Sequence, residues 1–194
     1  MGSLRIIAGT LKGRRIRVLD VAGLRPTPDR AREALFDILG HDLSGVRVLD
    51  AFAGTGALGL EALSRGAATA AFVESDPRIA EALRSTLREL GVESRGRVIT
   101  ARAEGSALSG LGGGPFDLVL ADPPYAAARE REGFLRDLAR ARGVLASAVR
   151  LAIERERGND PVPPPEGFER VRIAHYGRTC FDFYARSAAG PPIG

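Results

Sequence analysis

Residues 46–66 read "VRVLDAFAGTGALGLEALSRG", and the order of residue types within them decides the fold. "VRVLDAF" is an apolar run of the length of a strand buried on both faces. "GALGLEALSRG" has helical spacing and is closed by Gly66. Between them Gly54, Gly56 and Gly59 satisfy the G-x-G-x-x-G spacing in a strand–turn–helix context. Glycines there let the backbone turn tightly and approach a ligand, and the helix N-terminus presents free N–H groups to it.

Downstream, "TAAFVE" is a second strand ending in Glu74, twenty residues after Gly54. A carboxylate at that point can accept hydrogen bonds from both hydroxyls of a ribose. Loop and acid together predict an adenosine-type cofactor, either a nicotinamide dinucleotide or S-adenosylmethionine. Asp50 separates the two. An acid directly before the glycines would repel a pyrophosphate and attract an ammonium-bearing amino-acid tail, so the loop is expected to face a methionine moiety. A dehydrogenase would also need a proton donor at the substrate carbonyl and usually a substrate domain, and the chain offers neither in an obvious place.

The pattern then repeats. "DPRIAEALRSTLRELG" is a helix capped by Asp76, started by Pro77 and stopped by Gly91, with Ile79, Leu83, Leu87 and Leu90 as its stripe. "RVIT", "FDLVLAD" and "VRLAIER" are three further strands, with an amphipathic helix around Phe134, Leu135 and Leu138 before the last. After the proline-rich "GNDPVPPPEG", the runs "FERVRIAHYG" and "TCFDFYAR" predict a closing antiparallel hairpin. Upstream, "RPTPDRAREALFDIL" begins a helix in which Thr27 can cap, Pro28 fits the first position, and Ala31, Leu35, Ile38 and Leu39 share a face. The first twenty residues form two apolar–basic runs broken at Gly9 and Gly13, the pattern of a hairpin. Strands alternating with helices build a parallel sheet covered on both faces. The expected fold is therefore α/β, a doubly wound, mostly parallel sheet, with residues 1–22 as a basic N-terminal β-hairpin extension, 23–187 as the catalytic domain and 188–194 as a tail.

"LADPPY", residues 120–125, ends the fourth core strand at the carboxyl edge, where ligands of such sheets bind. Pro123 and Pro124 have no N–H, so the strand stops, the turn is stiff and its carbonyl oxygens stay free to accept. Tyr125 offers a stacking face for a planar base. Asp122 and a carbonyl of the turn can accept both N–H bonds of an exocyclic amine, drawing its nitrogen toward sp³ geometry with the lone pair aimed at a methyl donor. Either Asp122 or water can then remove the proton, and the base has to be flipped out or already unpaired.

Composition narrows the partners. The 194 residues suit one domain, and no apolar run is long enough to cross a membrane. With no signal-peptide pattern at the N-terminus, a cytoplasmic location is expected. Cys180, the single cysteine, cannot pair internally, and His41 and His175 lie too far apart in sequence to indicate a metal site. The net charge of +4 is uneven, because residues 1–32 carry eight basic side chains against Asp20 and Asp29. That segment is the candidate for binding a polyanion.

"GLRPTPDRAREALFDIL", "LDAFAGTGALGLEALSRGA", "FVESD" and "LADPPY", in that order, resemble the bacterial RsmD family of 16S rRNA guanine-N2 methyltransferases. The similarity runs from about Arg5 to Tyr184 and implies a class I, Rossmann-like methyltransferase with a seven-stranded sheet whose last strand is antiparallel. By matching position it implies that Asp122, Pro123, Pro124 and Tyr125 handle the guanine. Thr27, Asp50, Phe52, Ala53, Gly54, Gly56, Glu74, Ser75, Ala103 and Asp122 would hold S-adenosylmethionine. Arg5, Lys12, Arg14, Arg15, Arg25 and Arg30 would contact RNA. The implied substrate is 16S rRNA in an assembling or assembled 30S subunit, met by a monomer. Where many members place Asp or Asn before a small residue, this chain has Arg102 before Ala103, so the adenine contact falls to Ala103 or to Glu104. The rival enzyme reading is a DNA adenine-N6 methyltransferase, for whose target-recognition domain the chain has no room. The rival from another class is a non-catalytic RNA-binding protein, against which intact Asp50, Glu74 and Asp122 argue.

Overall fold

The computed structural model describes residues 2–19, 21, 27–123 and 128–187. It opens on an antiparallel pair, β1 (Gly2–Arg5) and β2 (Arg15–Val18). Then come α1 (Asp29–Leu39), β3 (Arg47–Ala51), α2 (Ala57–Ser64), β4 (Thr69–Glu74), α3 (Pro77–Leu90) and β5 (Gly96–Thr100). The second half holds α4 (Ser106–Ser109), β6 (Phe116–Ala121), α5 (Ala128–Arg140), β7 (Leu145–Glu156), β8 (Phe168–Tyr176) and β9 (Thr179–Arg186).

The last seven strands form one sheet in the order β5-β4-β3-β6-β7-β9-β8. Neighbours from β5 to β7 are parallel, and β9 alone runs against both of its partners. The chain winds outward from β3 to β5, returns to β6 and winds the other way, so the switch point lies between β3 and β6. Ligands of doubly wound sheets bind there. Val48, Phe72, Leu118, Leu120 and Ala152 point to one face, where α1, α2, α3 and the N-terminal pair cover them. Leu49, Val73, Val119, Ala121 and Ile153 point to the other, against Leu108 of α4 and Phe134, Leu135 and Leu138 of α5. The expected doubly wound sheet is thus the observed one.

α3 forms as its sequence dictates. The Asp76 side chain accepts the Arg78 N–H, Pro77 is the first helical residue and Gly91 adopts a left-handed φ of 70°. α1 corrects the sequence reading at its start and along its face. Pro28 is the N-cap and no side chain caps the helix, because the Thr27 hydroxyl donates instead to Glu154. Phe36 is buried in the stripe, with Ile38 only packed against it, since the turn that brings Leu35 inward brings Phe36 with it.

The N-terminal hairpin is bolted to the helices. Ile6 and Ile16 are buried in the same core as α1 and α2. Glu61 of α2, with no exposed surface, accepts the N–H groups of Ile7 and Ala8 at 2.8 and 3.0 Å and pairs with Arg65 at 2.9 Å. One turn on, Ser64 receives the Leu11 N–H on its hydroxyl oxygen and the Thr10 N–H on its carbonyl. Gly9 makes the approach possible: its φ is 80°, and a Cβ there would stand 1.9 Å from the Ser64 carbonyl oxygen. Arg14 donates to the Glu89 carbonyl at 2.8 Å, satisfying an end group of α3.

Removing Glu61 would strand the buried Arg65 charge and two hairpin N–H groups. Glu61→Ala is expected to cost about 3–5 kcal/mol of unfolding free energy in urea titration, whereas Lys12→Ala on the exposed tip should stay within about 0.5 kcal/mol.

Candidate active site

At the carboxyl ends of β3, β4 and β6 opens a cavity of about 940 Å³. Its floor follows from the glycine loop. Phe52, at φ 62°, and Gly54, at φ 52°, are both left-handed, and Gly56 follows at 74°. A bulky residue in that region is strained; the Phe52 ring is held edge-on against Phe134 of α5 with centroids 5.2 Å apart. The loop closes through Ala53 N–H on the Val73 carbonyl and Gly56 N–H on the Ala53 carbonyl.

Two carboxylates shape this loop. Glu74 accepts the Gly54 N–H on one oxygen at 2.9 Å and the Asp76 N–H on the other at 2.7 Å. Asp50 accepts the Gly59 N–H at 2.8 Å. Gly59 cannot be larger, for a Cβ would lie 2.3 Å from the Phe72 ring and 3.0 Å from Asp50 Oδ2. Burial pushes the Asp50 carboxyl up to about 8, against the opposing pull of the Gly59 N–H and with a further push from the negative charge of Glu74.

Asp122 follows β6 directly, half-buried, with Pro123 buried beside it. Its carboxyl is raised well above the ordinary range, first by desolvation, then by Glu154 and Asp50. Glu154 on β7 has no exposed surface and accepts the Thr27 hydroxyl at 2.6 Å. Ala121 pairs with Ile153 in the ladder, so Asp122 and Glu154 each stand one residue beyond that rung.

Of the residues singled out in the sequence, Thr27, Asp50, Phe52, Ala53, Gly54, Glu74, Ser75, Ala103, Asp122 and Pro123 all line the cavity. Gly56 does not; its missing Cβ makes room for Leu83 and Phe72. Glu104 and Arg102 are both on the rim and pair with each other at 2.7 Å, while Ala103 is buried in the wall. Pro124, Tyr125, Arg25 and residues 188–194 lie outside the described residues. Lys12, Arg14, Arg15 and Arg30 are exposed, with Arg14 spent on α3, and Arg5 pairs with Asp29 at 3.1 Å. The reading of the sequence missed Glu154, whose one signal was an acid directly after the apolar run Leu151, Ala152 and Ile153. It also missed the α5 wall, where Arg129, Glu130, Arg136 and Asp137 line the cavity.

The family model described as conserved hypothetical protein 95 matches residues 4–185. The ribosomal RNA small subunit methyltransferase D of Escherichia coli K12 is 36% identical over 194 aligned residues, covering 97% of this chain and 93% of its own. Among solved structures, the Escherichia coli protein yhhF matches with a TM-score of 0.80 and 36% identity over 97% of this chain and 100% of its own. A Salinibacter ruber RNA methyltransferase crystallised with S-adenosyl-L-homocysteine has a TM-score of 0.60 at 13% identity, covering 87% of this chain and 97% of its own, a likeness of fold.

Asp50 gives a pH prediction. Its folded-state value of about 8 lies above that of an unfolded aspartate. The folded chain therefore binds the extra proton between those values, and the stability this provides is lost as pH rises toward 8. Asp50→Asn fixes the neutral form. Relative to the parent, it should gain stability as pH climbs from about 5 to 8, by at most ~1.4 kcal/mol per pH unit. Urea unfolding of both proteins across that range checks it, and a constant difference would show that Asp50 is already ionised in the fold.

Proposed function

The chain belongs to the family described as conserved hypothetical protein 95, the RsmD family, and from that premise we propose that it methylates the exocyclic N2 of a guanine in 16S rRNA, using S-adenosylmethionine. The observation that carries the reading is the meeting, in one cavity, of the glycine-loop acids Asp50 and Glu74 with Asp122 and Pro123. A nicotinamide enzyme has no use for an acid-lined loop of this kind, and a bare RNA-binding fold has no use for the half-buried Asp122 in the cavity wall.

The residues fit the cofactor. The cavity exceeds what a nucleoside with an amino-acid tail needs, and its donors and acceptors match that molecule's ends. Glu74 keeps lone pairs beyond the two N–H bonds it accepts and can take ribose hydroxyls. Asp50 suits an ammonium group, whose arrival would draw its proton off. Ala103, with Ser75 beside Glu74, offers the wall for the adenine. When bound, S-adenosylmethionine supplies an electrophilic methyl group on a cationic sulfur.

The chain's own residues do the rest. Asp122 accepts one N–H of the guanine amine, and a carbonyl of the Pro123 turn accepts the other, which localises the nitrogen lone pair and orients it. The Asp122 carboxylate also offsets the positive charge that grows on that nitrogen. Pro124 and Tyr125 complete the base pocket in this reading. RNA reaches the site along the exposed basic groups Lys12, Arg15 and Arg30, with Arg5 and Arg14 also exposed on this segment, and Arg25 is assigned to the RNA from the sequence. Among the described residues no helix is long and apolar enough to cross a membrane. We take the enzyme to act as a cytoplasmic monomer on an assembling or assembled 30S subunit.

The test is labelled S-adenosylmethionine with small-subunit particles lacking the modification, the product nucleoside identified by mass spectrometry. Asp122→Ala should lower transfer by at least about 10²-fold; wild-type turnover would refute the amine-orienting role. The double charge reversal Lys12→Glu/Arg15→Glu should weaken RNA binding and reduce the slope of log affinity against log salt by roughly 0.7–0.9 for each phosphate left without its cation. An unchanged slope would remove the hairpin from the interface.

A further inference from the structure

A second hollow, of about 660 Å³, wraps the start of β5 at the edge of the sheet. Its charged lining is Arg84 and Arg88 from α3, Arg95 and Arg97 around the entry to β5, and Glu93. Arg95 donates to the Leu63 and Ala67 carbonyls at 3.3 Å, finishing the end of α2. Arg84 lies along the free edge of β5, donating to the Val98 carbonyl at 3.3 Å and to the Thr100 hydroxyl at 2.8 Å. Arg84 and Arg88 share one acid, Glu81, at 3.3 Å each. Arg97 is exposed, and among the described residues no acid pairs with it. Gly112 leaves its guanidinium room, since a Cβ there would stand 2.9 Å from Arg97 Nη1.

The placement of these groups tells a polyanion from a small ion. Val98 packs with the core on the α3 side of the sheet and Ile99 with the core on the other. Strand alternation therefore puts Arg97 on the face away from Arg84 and Arg88. A single phosphate cannot touch both faces, whereas a chain of phosphates crossing the strand edge can. The hairpin leads to the same place. Arg14 donates to the Glu89 carbonyl at 2.8 Å, which brings the turn carrying Lys12 and Arg15 against the end of α3 that holds Arg88. Arg97 precedes Thr100, the carboxyl end of β5, by three residues, about 10 Å of strand, so the hollow lies at the end of the strand away from the catalytic cavity.

We propose that this basic hollow is a second RNA-binding subsite, in which Arg88 and Arg97 take backbone phosphates of the substrate RNA several nucleotides away from the target guanine. The inference rests on the RNA-methyltransferase reading and extends its RNA surface from the hairpin, across the end of α3, to the edge of β5. Phosphate contacts fix the register and orientation of a nucleic acid without reading its sequence. Two such contacts remote from the cavity would hold the strand while a single base enters it, and each would release a counter-ion on binding.

The test is the affinity of the full chain for a 16S rRNA fragment across a range of salt concentrations. Arg88→Glu/Arg97→Glu should weaken binding and flatten the slope of log affinity against log salt by roughly 0.7–0.9 for each of the two phosphates lost. The milder Arg88→Gln/Arg97→Gln should flatten it equally, with urea unfolding to verify that each variant is folded. Arg170→Glu/Arg172→Glu makes the same charge change at exposed positions of β8, on the opposite edge of the sheet, and should leave the slope in place. An unchanged slope in the folded β5 variants overturns the inference. Equal flattening by the β8 pair does so too, because net charge alone would then be felt. Inorganic phosphate, compared with chloride at matched ionic strength, should not displace the RNA; displacement abolished by Arg88→Gln/Arg97→Gln would assign the hollow to a small anion and overturn the inference. A wild-type protein that binds RNA through this edge yet methylates no small-subunit particle would instead refute the methyltransferase reading and leave this one standing.

Discussion

Three carboxyl groups, Asp50, Asp122 and Glu154, stand near the carboxyl ends of neighbouring strands on one face of the sheet, the first and last buried and Asp122 half-buried. Carboxylates so placed repel one another in a medium of low dielectric, and each needs a proton, a donor or a cation to remain there. The surrounding sequence supplies donors one by one. Gly59 gives its N–H to Asp50, and Thr27 its hydroxyl to Glu154. The glycine fingerprint is therefore as much a device for housing an acid as for approaching a ligand: a methyl group at position 59 would strike both Phe72 and Asp50.

The same logic separates structural from available arginines. Eight basic side chains within the first 32 residues give that end its charge, yet Arg32 is buried against Asp29 and the Arg5 carbonyl, Arg14 finishes α3, and Arg5 pairs with Asp29. Lys12, Arg15, Arg17 and Arg30 remain exposed. A polyanion would thus meet a narrower basic strip than the count of charges implies. The hairpin can present that strip in a fixed position because Glu61 and Ser64 hold its turn to α2.

Where local pattern and tertiary demand agree, the sequence was sufficient. The parallel sheet, its antiparallel finish and the caps of α3 were legible because each follows from periodicity and residues adjacent in sequence. The cavity's acids were legible because the glycine loop and the strand ends share one edge of the sheet. Thr27 misleads for the opposite reason: its position before Pro28 is that of a cap, and only a buried acid 127 residues later claims its hydroxyl. Glu154 was hidden in the same way, since nothing in the neighbouring residues of β7 tells what lies across the sheet. Gly56 shows a subtler limit. The motif identifies it as a glycine that must be there, but its crowding by Leu83 and Phe72 is a property of packing between α2, α3 and β4.

Phe52 ties the two halves of the site into one mechanical unit. A left-handed aromatic residue costs on the order of 1–3 kcal/mol unless its surroundings hold it, and here the holder is Phe134 on α5, packed edge-on at 5.2 Å. α5 begins at Ala128, close behind the Asp-Pro-Pro-Tyr sequence, and its own stripe of Phe134, Leu135 and Leu138 is fixed against the sheet. The helix that follows the Asp-Pro-Pro-Tyr sequence therefore also keeps the glycine loop in its strained shape. Loosening Phe134 would release Phe52 toward an ordinary backbone conformation, and Gly54 with it, so a change on the α5 wall of the cavity reaches the glycine loop through the contact between these two rings.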